Sequence, residues 1–75
     1  MDCLHELTRE LQRQACTVPL HDADARAVFF WRAGQLIAAL PVEERAEYAM
    51  SLAMGFATRG VPSEIVLQHL KEAQP

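Results

Sequence analysis

The sequence predicts an all-α fold, a small bundle of about four helices completed by dimerisation. Three observations carry that expectation. Apolar residues recur at helical spacing in four segments with short connections, and no segment alternates convincingly enough for a strand. Residues 25–40, ARAVFFWRAGQLIAAL, are apolar around almost the whole circumference of a helix, with Arg32 and Gln35 as the clear polar stripe. A chain of 75 residues buries only about 60% of its unfolded surface, so it can hardly surround such a helix alone, and oligomerisation is a standard remedy. Residues 1–75 read as a single domain.

The first helix is expected over 3–16. Asp2 is placed to cap it, Leu4, Leu7 and Leu11 form a narrow apolar stripe, and Glu6, Arg9, Glu10 and Arg13 lie outside that stripe. It reads as an outer layer. Val18 and Pro19 break continuity, and Asp22 or Asp24 then offers an N-cap for a second helix over 24–40. On it Phe29, Ala33, Leu36 and Leu40 share one face, widened by Phe30 and Ile37, while Ala27, Trp31, Gly34 and Ala38 occupy much of the other. Pro41 ends that helix by disfavouring helical geometry in Leu40 and can open the next.

The third helix is expected over 42–59, with Glu43 and Glu44 matched to the positive end of its dipole. Ala46, Ala49, Ala53, Phe56 and Ala57 gather on one face, flanked by Met50, Leu52 and Met54, and so many alanines imply close helix approach. Gly55 costs about 1 kcal/mol of helix stability relative to alanine, which suggests either a close contact or a tolerated defect. Gly60 suits the left-handed residue that ends the helix. A fourth helix follows over 63–71, with Ile65, Val66 and Leu70 inward.

Composition narrows the function classes. Charged residues make up 23% and apolar ones 51%, which argues against disorder. The net charge of −3 and the dispersal of the arginines among ten carboxylates weaken any general affinity for nucleic acid, which relies on concentrated positive charge. No stretch of 18 uninterrupted apolar residues suggests a membrane span, and the acidic start MDCLHEL is unlike a secretory signal, so the expected location is cytoplasmic. Cys3 and Cys16, thirteen residues apart, would stand about 20 Å apart along one helix, beyond disulfide reach.

Four constellations compete for a function. Residues 60–70, GVPSEIVLQHL, partly match the second half of a helix-turn-helix, in which Arg59, Ser63, Gln68 and Lys71 would contact DNA. Phe56 is bulky where close crossing calls for a small residue, so a dimeric DNA-binding regulator is the second reading. Cys3, His5, Cys16 and His21 are zinc-competent types, but helical geometry separates them, and no metal or cofactor is expected. Catalysis has little support. Glu43, Glu44 and Glu47 are better explained as dipole partners, Ser51 and Ser63 lack a nucleophile setting, and no phosphate-cradling glycine loop is present. The leading expectation is a non-enzymatic interaction module, an adaptor, chaperone or inhibitor that binds a larger protein. Phe30, Trp31, Arg32 and Gln35 are its expected contact residues, with Met50 and Met54 as adaptable neighbours and the acidic start of the third helix as a polar rim.

Overall fold

In the computed structural model, which describes residues 3–74 apart from the Cys3 side chain, the chain forms four helices: α1 (Cys3–Ala15), α2 (Ala23–Ala39), α3 (Val42–Ala57) and α4 (Ser63–Ala73). No strand occurs among the described residues. The all-α bundle anticipated from the apolar spacing is what forms, with boundaries within two residues of those expected. Asp2, expected to cap α1, lies outside the described residues.

Local chemistry sets the ends of the helices. Asp22 is the α2 N-cap, its carboxylate accepting from the backbone N–H groups of Asp24 at 3.0 Å and Ala25 at 3.1 Å. Leu40 leaves helical geometry at φ −78°, ψ 155°, because the ring of Pro41 crowds an α-conformation in the preceding residue. Gly60 ends α3 with φ +84°. The Val61 N–H reaches back to the Phe56 carbonyl at 3.1 Å and the Gly60 N–H to that of Ala57, also at 3.1 Å, which satisfies two terminal carbonyls in a Schellman turn.

Two arginines serve as remote caps. Arg45, near the start of α3, donates from Nε to the Leu40 carbonyl at 2.9 Å and from Nη2 to that of Ala38 at 3.0 Å, at the end of α2. Arg59, beyond the other end of α3, donates to the carbonyl of Ala15 at 3.0 Å, the last residue of α1, and to that of Val18 at 2.6 Å in the connection that follows. Each places positive charge where a helix dipole is negative and orphan carbonyls need donors.

α2 is central and packs against the other three helices. Phe29, Ala33, Leu36, Ile37 and Leu40 are buried, as their shared face required, and meet Leu11, Leu52, Phe56, Val66 and Leu70 in one core. Full burial of Ile37, Leu52, Phe56, Val66 and Leu70 stabilises the fold by roughly 1.5–3 kcal/mol per side chain. Three expectations about packing are corrected. On α3 the buried face is Tyr48, Leu52, Ala53 and Phe56, while Ala46 and Ala57 are exposed, since the larger side chains gain more from burial than alanine does. Ile65 is 49% exposed, one residue out of phase with the buried pair Val66 and Leu70. Gly34, expected on the same side of α2 as Trp31, does not share its exposure. It is buried beneath the end of α4, where a Cβ would stand 2.7 Å from the backbone C and O atoms of Ala73. The other helical glycine, Gly55, faces Ala15 across the α1–α3 contact.

Candidate interaction surface

α1 and α2 lie side by side, and their outer faces define a groove of about 530 Å³. Leu4, Leu7 and Leu11 form its α1 wall because spacings of three and four residues put them on one stripe. Leu11 reaches the core, whereas Leu7 stays 52% exposed at the outer edge. Trp31, Gln35 and Ala39 form the opposite wall at the same spacing on α2. Trp31 is 61% exposed. A single exposed apolar residue is ordinary on any protein, but here a tryptophan and a leucine flank one recess whose floor is Leu11 and Leu36.

Arg32 stands between this groove and a second recess of about 490 Å³, bounded by Val18, Pro19, Asp22, Asp24 and Val28. Val28 is 49% exposed. Trp31, Arg32 and Gln35 therefore share one surface, as the helical spacing required. Phe30 does not join them, because one residue of helix turns the side chain by about 100°. Its ring lies 5.3 Å from Phe29, 5.5 Å from Phe56 and 5.1 Å from His69, centroid to centroid, in a half-buried cluster that ties α2 to α3 and α4. The methionines are elsewhere too: Met50 and Met54 are exposed on α3 and line no part of the groove. Glu43 and Glu44 at the start of α3 are likewise outside it. The residues that sequence reasoning missed are Leu4, Leu7 and Val28. The leucine stripe was visible, but nothing in the sequence said that its outer edge would stop short of the core and meet Trp31.

The candidate DNA contacts are dispersed in role. The Arg59 guanidinium is occupied by the end of α1 and lies 6.0 Å from the centre of the Phe56 ring, so it has no free donor fork to offer a phosphate in this conformation. Ser63 is half-buried at the first position of α4, and Gln68 and Lys71 are exposed farther along it.

A third recess, of about 450 Å³, lies between α1 and α3 and was not anticipated. Leu4, Leu40 and Tyr48 give it apolar walls, with His5, Glu44 and Glu47 around them. The Tyr48 hydroxyl donates to the Thr8 carbonyl at 3.2 Å, and Gln12 donates to Ser51 Oγ at 2.8 Å. Burial holds the Tyr48 phenol well above its ordinary pKa, because the phenolate would lose its hydration there. The phenol is thereby fixed as a neutral donor. Among the described residues no group of three or more His, Cys, Asp or Glu side chains is arranged to hold a metal ion, and Cys16 is a free thiol at the surface.

No protein family, curated protein or solved structure matches the chain. No described helix is long and apolar enough to cross a membrane.

Proposed function

We propose that this chain is a stoichiometric interaction module, an adaptor, chaperone or inhibitor that acts without catalysis by binding a larger protein through the α1–α2 groove. Trp31 is the anchor, Leu7 and Val28 extend its apolar contact, and Arg32 and Gln35 supply polar contacts at the rim. The observation that carries this reading is the exposure of Trp31 beside Leu7 across a preformed apolar recess. Tryptophan and arginine are the residue types most enriched among interface hot spots, and the leucine floor gives a partner side chain somewhere dry to go. Self-association belongs to the same proposal, since a chain of this length gains core by pairing. Its expected site of action is the cytoplasm.

The test compares wild type and Trp31→Ala as baits in extract from the source cells. A protein retained by wild type and lost from the variant, with both chains melting at the same temperature, is the expected outcome. An identical set retained by both overturns the reading. The DNA-binding reading is disfavoured by the occupied Arg59, and retention on duplex DNA that weakens steeply with added salt would revive it.

A further inference from the structure

The N-terminal half of the exposed α2 face carries a pattern that a monomer does not use. Asp24, Val28 and Arg32 form one row at spacings of four residues, and all three are exposed. An acid and a base thus stand about 6 Å along the axis on either side of an apolar residue. Neither the Asp24 carboxylate nor the Arg32 guanidinium has an ion-pair or hydrogen-bond partner among the described residues, although Arg13 pairs with Glu10 on α1 nearby in the chain. Opposite charges placed equally about a centre are self-complementary under two-fold rotation, the condition for an isologous interface.

We propose that the occupant of this half of the face is a second copy of the chain. The two α2 helices cross antiparallel about an axis that passes beside Val28, between its row and that of Trp31, so that Asp24 of each copy meets Arg32 of the other. A parallel row, Ala27, Trp31 and Gln35, runs beside the first and leaves a groove between the two rows. Setting the Val28 row of one copy into that groove of the other is the packing of four-residue ridges that gives crossing angles near −50° in globular proteins. Each Trp31 then comes against the first turns of the opposing α2, where Ala27 leaves room. Leu7 and Ala39, farther along the α1–α2 groove, stay outside the contact, so a larger protein that binds through Trp31 competes with the second copy for that residue. This inference rests on the reading of the face as an interaction surface and names its first occupant.

The test uses the full chain, with mass measured by light scattering through a dilution series and Trp31 emission followed on the same samples. Wild type is expected to dissociate from dimer to monomer with a red shift of the emission. Asp24→Arg and Arg32→Asp each replace two attractive contacts by two repulsive ones and are expected to weaken the dimer by about tenfold or more. An equimolar mixture of the two variants restores both attractive contacts and is expected to form a heterodimer as tight as wild type. Far-UV circular dichroism checks that both variants fold; Asp22 remains in place to cap α2. A wild-type chain that stays monomeric, single reversals that dimerise as wild type does, or a mixture no tighter than either variant overturns the inference. If that happens while Trp31→Ala still loses a captured protein, the reading of the face survives and only its occupant is wrong.

Discussion

Gly34→Ala tests the packing of the central helix directly. A methyl group built at this position would sit 2.7 Å from the backbone C and O of Ala73 and 2.8 Å from its Cβ. Carbon atoms rest at about 3.5–4.0 Å, so the end of α4 must withdraw by roughly 0.7 Å or more. The atoms in the way are mostly backbone, so a simple change of rotamer gives no relief. Overpacking of this kind costs roughly 1–3 kcal/mol, and the gain in helix propensity from replacing glycine returns about 1 kcal/mol. Because the obstacle is backbone, the cost falls in the upper part of its range, and a net loss of about 1–2 kcal/mol follows. Unfolding entropy of ~2.1 cal/mol/K per residue, summed over this chain, converts that loss to a fall in Tm of about 6–13 °C. Thermal melts followed by far-UV circular dichroism measure it. Gly55→Ala is the control: its Cβ meets only the Ala15 methyl, at 3.3 Å, and Cys16 Sγ at 3.7 Å, so propensity gain and crowding nearly cancel, within about 0.5 kcal/mol of wild type. A Gly34→Ala chain as stable as wild type, or more so, would refute the close approach of α4 to α2.

Arg59→Ala removes two charge-assisted hydrogen bonds at the end of α1; a loss of about 2 kcal/mol in urea denaturation is expected, and Arg59→Lys should recover less than half of it because one ammonium does not span both carbonyls as the guanidinium fork does. Leu52→Ala, at a fully buried site, should cost about 3 kcal/mol or more, whereas Met54→Ala, two residues on and exposed, should stay within about 0.5 kcal/mol in the same titration. The phenol of Tyr48 has its pKa raised by burial above the ordinary 10.0. Its contribution is therefore complete below pH 10 and declines as pH rises through and beyond that value, since the unfolded chain releases the proton first. Alkaline unfolding followed by the tryptophan signal should be shifted upward in pH in Tyr48→Phe relative to its own stability at neutral pH; an unchanged profile would mean that Tyr48 is not the group responsible.

The parts of this fold that are legible in the sequence are those with local causes. Pro41, Gly60 and Asp22 act within their own turns, so the breaks between helices followed from sequence, and the buried face of α2 followed from its crowded large side chains. α3 was harder. Tyr48 was overlooked because a hydroxyl argues for the surface until a carbonyl such as that of Thr8 is in reach, and that acceptor comes from forty residues away. Ile65 and Val66 are adjacent, equally apolar and differently buried, a choice made by the neighbouring helices and not by propensity. At the candidate surface, the spacing of Trp31, Arg32 and Gln35 was sufficient to unite them, while the diversion of Phe30 required knowing that Phe56 and His69 lie on that side. The duties of Arg45 and Arg59 are non-local in the same way: each serves the end of a different helix from its own, and no periodicity encodes that.

The position of Ala73 over Gly34 has a practical consequence for handling this molecule. Leu4 opens the groove beside Trp31 from one flank of α2, and Ala73 closes on the helix three residues from Trp31 at the other. Purification handles, fluorophores or fusion partners joined near residue 3 or residue 74 will therefore crowd the surface whose binding they are meant to report. The turn at 58–62 carries exposed residues such as Gly60, away from both recesses that Arg32 borders, and a label grafted there leaves Trp31 unobstructed.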